Sequence, residues 1–267
     1  VLERNEQLQD ERQGYLLKDL KDSPPPEVTI LAPPDGIKSS GRGVELIVSV
    51  ENKGGGIDEI RVMHNGKRMH FKDDLSRIPP KGQSLTKTYN LLLVPGENLI
   101  SVSAFSKGRI ESKRSVVTAN YKGKQTEVNC YVLAVGINEY RNPELNLNYA
   151  KSDASGFAST LLDQSKLLYK DVVVKTLYNE EASREKILAA IDQISEVIQP
   201  EDVFVFYYAG HGGVEGEDFY FIPTNCVSLY QKKKLEQTAI SASVLKKGLG
   251  GIKALKQVMV IGACHSG

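Results

Sequence analysis

The chain has no tryptophan, only three methionines and only three cysteines in 267 residues. The cysteines, Cys130, Cys226 and Cys264, are widely spaced and include no CxxC pair, which excludes a disulfide framework. An excess of one charge is missing too. Lys and Arg number 34 against 33 Asp and Glu, a net charge of +1, which argues against a general nucleic-acid or membrane-surface binder. No run approaches the ~18 consecutive apolar residues of a membrane span. The opening VLERNEQLQD lacks the apolar core of a signal peptide. These absences leave a soluble, globular chain with reduced thiols and a cytoplasmic setting as the expectation. Its length favours two domains over one and needs no covalent staples to bury a core.

The composition changes twice along the chain. Residues 1–22 are polar, with Leu2, Leu8, Leu16, Leu17 and Leu20 as sparse apolar points. They predict a weak helix, the tail of something upstream. Ser23-Pro24-Pro25-Pro26 cannot continue a helix and predicts a stiff extended linker, closing a first segment over 1–26.

From 27 to 121 the apolar period is two. Val44, Leu46, Val48 and Val50 alternate with Glu45, Ile47 and Ser49. Asn65-Gly66, set between two extended runs, is the strongest short hairpin signal. Some seven short strands without helical periodicity predict a small antiparallel sandwich. His64 and His70 fall on its hairpin and are expected at the surface. Gly54-Gly55-Gly56 reads as a bulge or flexible turn; a phosphate cradle would need a following helix, and none is predicted there.

Over 128–267 the grammar becomes strand, helix, strand. NCYVLAVGI, DVVVKTLY, VFVFYYAG and KQVMVIGA are nearly continuous apolar runs, as buried parallel strands are. Between them lie segments of helical spacing, one with Ser152 or Asp153 as its cap and one opened by Ser183. This β-α-β-α-β-α-β series predicts a mostly parallel sheet flanked by helices. Lys232-Lys233-Lys234 reads as a solvated loop and, for a peptidase that cuts after basic residues, as a self-cleavage candidate.

Ligands of open α/β sheets bind beyond the carboxyl ends of the strands. The third strand runs straight into His211-Gly212-Gly213 and the fourth into Cys264-His265-Ser266-Gly267. One right-handed crossover can set both polar groups on one rim. A thiol near its usual pKa is mostly protonated at neutral pH; a nearby imidazole can deprotonate it and later protonate a departing amine. The backbone N–H groups of Gly212 and Cys264 are candidate oxyanion-hole donors. His265, next to the thiol on a turn, is not expected to be the base. Cys130 reads as core. Cys226 sits in a loop without the spacing of a zinc site.

YYAGHGG and IGACHSG, each closing an apolar strand, together with YVLAVGINEY and the Ser-Asp-Ala of KSDASGFAS, resemble the caspase-like cysteine peptidases, closest to the bacterial and metacaspase-type branch. The resemblance implies an α/β caspase-like domain over 128–267, incomplete at its C-terminus. The residues around GGGIDEIRVMHNGK resemble the Ig-like module found before some bacterial members. By the same resemblance Cys264 is the nucleophile and His211 the general base and acid. Asp153 is then an S1 carboxylate for Arg or Lys, as well as a candidate helix cap. A second acidic position of the family is Gly262 here. No metal or other cofactor is implied, because the acidic residues after His211 reduce to Glu215, Glu217 and Asp218. The implied role is a regulated protease, in signalling or bacterial defence, acting on protein substrates. The implied partners are a C-terminal small-subunit segment that completes the fold and an activator acting through the Ig-like or upstream region; neither nucleic acid nor membrane is expected. The alternative is a catalytically incomplete scaffold.

Overall fold

The computed structural model describes residues 23–124, 127–216, 218–226 and 232–263. The helix predicted over 1–22 lies outside them. The chain divides into two compact units, one up to residue 125 and one from residue 126.

The first unit holds β1 (Glu27–Ala32), β2 (Ile37–Ser39), β3 (Gly43–Glu51), β4 (Glu59–His64), β5 (Lys67–Arg68), β6 (Ser84–Leu92), β7 (Gly96–Phe105) and β8 (Ser115–Tyr121). They form the sheets β1-β3-β6 and β2-β8-β7-β4-β5, antiparallel except where β2 runs parallel to β8. The alternation read in the sequence builds the core. Leu46, Val48, Val50, Tyr89 and Leu91 of one sheet meet Ile60, Val62, Ile100, Val102 and Val117 of the other. Two sheets over one core are the architecture of an Ig-like module. Asn65 and Gly66 turn the β4–β5 hairpin at φ 49° and 84°, as its tight turn requires. The triple glycine lies outside the strands, as a bend between β3 and β4 and not a bulge. It carries the chain from one sheet to the other, with Asn52 Oδ1 accepting from the N–H groups of Gly54 and Gly56 at 2.9 and 3.0 Å.

His64 departs from its expected place. His70 is exposed, but His64 is 0% exposed, because it stands in phase with Ile60 and Val62 on the inward face of β4. Its Nε2 lies 2.9 Å from Asn98 Oδ1. Asn98 Nδ2 donates to the carbonyls of Val94 and Gly96, so Oδ1 accepts and Nε2 carries the hydrogen. Nδ1 is buried without a partner. Burial therefore pushes the His64 pKa below 6.5, more than the Asn98 bond raises it. The unfolded chain then binds more protons than the folded one as pH falls through 6.5, so stability is complete above that pH and declines below it. The slope is at most about 1.4 kcal/mol per pH unit. Denaturant unfolding of this unit between pH 7.5 and 5 should show the decline, and His64→Gln should flatten it.

The second unit contains β9 (Cys130–Gly136), α1 (Ala150–Ser165), β10 (Val172–Tyr178), α2 (Arg184–Val197), β11 (Val203–Ala209), β12 (Gly212–Glu215), β13 (Asp218–Phe221), α3 (Lys232–Thr238), β14 (Ile240–Ser241), α4 (Ala242–Gly251) and β15 (Lys256–Gly262). The main sheet has the order β10-β9-β11-β15 and is parallel throughout. β12-β13-β14 form a small second sheet. Alternate residues of β11 face opposite layers. Phe204, Phe206 and Tyr208 join Ile187, Ile191 and Ile194 of α2 and Leu245 of α4. Val203 and Val205 join Cys130, Val132, Phe157 and Leu161 on the α1 side.

Local signals were partly misread. Ser183 caps α2, accepting from Lys186 N–H at 3.3 Å, as expected. Neither Ser152 nor Asp153 caps α1, which starts two residues before Ser152, after Tyr149; Asn138 Oδ1 takes the Lys151 N–H instead, at 2.9 Å. The tri-lysine run opens the short helix α3 instead of lying in a loop. The start of α1 presses on the end of β9: a Cβ on Gly136 would stand 2.7 Å from the Ala150 carbonyl oxygen and from Ala154 Cβ.

Candidate active site

The site is built where β11 and β15 end. The two strands are parallel neighbours in continuous register up to the pair Ala209 and Gly262. His211 and Cys264 therefore follow paired positions by the same number of residues. Cys264, His265, Ser266 and Gly267 lie outside the described residues. The last described residue before the thiol, Ala263, packs against the core, and its Cβ lies 3.4 Å from where a Cβ on Gly212 would stand. The two strand exits thus remain side by side past the end of the ladder.

His211 is held from several directions. Its Nε2 stands 2.8 Å from the carbonyl oxygen of Leu145, in a short 3-10 turn over Pro143–Leu145. A carbonyl can only accept, so Nε2 bears the hydrogen and Nδ1 keeps its lone pair. The backbone is fixed by two phenols. The hydroxyl of Tyr140 accepts from His211 N–H at 2.9 Å, and its ring lies 5.2 Å from the imidazole. The hydroxyl of Tyr208 stands 2.9 Å from the carbonyl oxygens of His211 and Ile222 and accepts from Ile222 N–H at 3.1 Å. Burial pushes Tyr140 up to about 12 and raises Tyr208 well above its ordinary value, so both remain neutral hydroxyls at working pH. Gly210 makes room for them. A Cβ there would meet both hydroxyl oxygens at 2.9 Å.

Gly212 opens β12 opposite Phe221. The bond from Ile222 N–H to the His211 carbonyl, 3.1 Å, makes that pair a non-hydrogen-bonded one, so the Gly212 N–H points away from β13.

Asp153 is exposed in the first turn of α1. Its charge acts on Tyr207 of β11, whose phenol is pushed up first by burial and then by Asp153. The carboxylate is thus on the α1 side of the sheet, near the strand that leads to His211. Cys130 and Cys226 are both buried and, among the described residues, in no disulfide. Burial, then the Asp202 charge, push the Cys130 thiol up to about 11, the mark of an inert core thiol. Among the described residues no group of three or more His, Cys, Asp or Glu side chains is gathered to hold a metal ion, and no helix is long and apolar enough to cross a membrane.

Sequence reasoning missed Tyr140, Tyr208, Gly210 and the Leu145 carbonyl. One signal was available: a tyrosine in phase with Phe204 and Phe206 must find a partner for its hydroxyl inside the core. The Leu145 carbonyl left no side-chain signature.

A parallel sheet of order β10-β9-β11-β15 flanked by helices defines an α/β domain of the caspase type. The family model of the caspase domain, peptidase C14, matches residues 129–267. The chain belongs to this family of cysteine peptidases. No curated protein matches the chain. Among solved structures, a protein of Geobacter sulfurreducens is 23% identical, with 52% of this chain aligned to 52% of that one at a TM-score of 0.42; the chain spans about half of that protein's length. A fibronectin(III)-like module structure from Clostridium thermocellum is 17% identical over 36% of this chain and 96% of its own, at a TM-score of 0.26. An adhesin of Streptococcus sanguinis is 13% identical over 46% of this chain and 70% of its own, at 0.27.

Proposed function

We propose that the protein is a cysteine endopeptidase that cleaves protein substrates after Arg or Lys through Cys264 and His211, as a regulated signalling or defence protease. The observation that supports this reading is the register of β11 against β15, whose last pair, Ala209 and Gly262, stands two residues before His211 and two before Cys264 in the sequence. The orientation of His211 adds support, because Nδ1 is the nitrogen left free by the Leu145 carbonyl.

The reaction follows from these roles. His211 Nδ1 takes the Cys264 proton, and the thiolate adds to the scissile carbonyl carbon. The N–H groups of Gly212 and Cys264 receive the oxyanion. The imidazolium then gives its proton to the departing amine as the C–N bond breaks, leaving a thioester. Water, deprotonated by the same imidazole, adds to the thioester; the second tetrahedral adduct expels the thiolate, and the acid is released. Asp153 binds the basic side chain ahead of the scissile bond. A charge-assisted pair of this type is shorter and roughly twice as strong as a neutral one.

The edge strand β15 also fits a second segment. Val258, Met259 and Ile261 are 50%, 51% and 43% exposed, so apolar side chains stand bare on both faces of a strand whose outer edge is unpaired among the described residues. Such an edge is a template for further strand pairing. A C-terminal small-subunit segment pairing there would extend the sheet and shape the substrate groove.

A peptide library with varied residues before the cleaved bond tests the reading. Hydrolysis should favour Arg and Lys and vanish in Cys264→Ala. Asp153→Asn should lower kcat/KM for basic substrates on the order of 10–100-fold, the loss of one charge-assisted contact. A preference for acidic residues would remove Asp153 from the site, and full activity in Cys264→Ala would remove the peptidase mechanism.

A further inference from the structure

Tyr207 has no part in the chemistry above, yet it occupies the ground between Asp153 and the end of β15. It leaves β11 on the α1 face, opposite to Phe206 and Tyr208. Its ring stacks on Phe157 of α1, with centroids 4.4 Å apart and planes at 22°. The stack fixes the direction of the phenol. A Cβ on Gly262 would lie 3.6 Å from the Tyr207 hydroxyl oxygen, so this oxygen stands directly in front of the backbone that leads to Cys264. The side chain is half-buried, and the Asp153 charge is felt at its oxygen.

We propose that Tyr207 is a specificity-determining residue: its hydroxyl oxygen accepts a hydrogen bond from the guanidinium of an arginine ahead of the scissile bond, and so selects arginine over lysine. The proposal rests on the reading of Cys264 and Asp153 given above. Gly262 offers no side chain here, so the polar groups that the proposal uses among the described residues are one carboxylate and one phenol oxygen on separate elements, α1 and β11. A guanidinium is planar and carries five N–H donors on three nitrogens. Two can engage the Asp153 carboxylate while a third, on another edge, reaches the phenol. An ammonium radiates its three donors from a single atom and sits on one acceptor group at a time when the acceptors lie apart. With lysine bound, the half-buried phenol oxygen keeps only water. The Phe157–Tyr207 stack adds a flat wall suited to the planar cation.

The test is kcat/KM for two fluorogenic peptides differing only in Arg or Lys before the cleaved bond, measured on the intact protein and its Tyr207→Phe and Asp153→Asn variants. Tyr207→Phe keeps the ring and its stack and removes only the oxygen. The Arg-to-Lys ratio should fall about tenfold, the loss of one hydrogen bond to a charged group, through the arginine substrate alone, with the melting temperature unchanged. Asp153→Asn should depress both substrates. An unchanged ratio in Tyr207→Phe, or an equal fall for both peptides, overturns the proposal while leaving the Asp153 reading intact. If the unaltered protein cleaves neither peptide, the reading of the pocket fails and this proposal with it.

Discussion

Replacing His211 with alanine should lower kcat for peptide hydrolysis by about 10²–10⁴-fold, the usual contribution of a general acid–base group. The reason lies in its wiring. The Leu145 carbonyl holds Nε2 at 2.8 Å, and Tyr140 and Tyr208 hold the backbone on both sides, so neither water nor a neighbour reproduces the position of Nδ1. His265 adjoins the thiol in sequence, and adjacent residues on a turn rarely point together; His265→Ala should cost far less. The comparison is made on kcat at saturating substrate, and the alkylation rate of Cys264 against pH gives a second readout. The imidazole stabilises the thiolate, so His211→Ala should move the rise of that rate toward the ordinary thiol pKa near 8.5.

Gly210→Ala is the second substitution expected to act strongly. Its Cβ would stand 2.9 Å from the hydroxyl oxygens of both Tyr140 and Tyr208, and both phenols are anchored in the core. The backbone on which His211 rides must then shift. A displacement of about 1 Å at a reacting group can cost on the order of 10² in rate, while overpacking of this kind costs about 1–3 kcal/mol of stability. Gly213→Ala is the control, since among the described residues a Cβ there meets nothing closer than Ile222 Cδ1 at 3.9 Å. Stability and kcat measured on both variants separate the effects. Activity in Gly210→Ala equal to that of Gly213→Ala would show that the phenol clamp does not position His211.

The sequence was most informative where one period ran for a whole strand. Val44 through Val50 declared a half-buried strand, and VFVFYYAG declared a central parallel one, because burial of one or both faces writes itself directly into the residue pattern. The neighbouring strands β11 and β15 were legible for the same reason: VFVFYYAG and KQVMVIGA are apolar runs that must be strands, and parallel neighbours end at one edge of the sheet. His64 was misplaced because residue type was weighed above phase. Its position two residues after Val62 carried it inward, and only Asn98, distant in sequence, made that tolerable. The start of α1 was misread because its cap comes from Asn138, a side chain twelve residues before Ala150. Two supports of His211 were invisible for a related reason. The Leu145 carbonyl and the Tyr140 hydroxyl come from 66 and 71 residues away, and long-range contacts of this kind leave no local period. Tyr208, three residues before His211, was the one with a signal, its phase with Phe204 and Phe206.

The shared rim of β11 and β15 is tested most directly by a peptidyl-arginine acyloxymethyl ketone, with the modified residue located by mass spectrometry. The label should land on Cys264 and not on the buried Cys130 or Cys226, and His211→Ala should abolish it. Labelling of Cys264 that proceeds equally well without the imidazole, or a label found only on another cysteine, would contradict the pairing of these two strand ends.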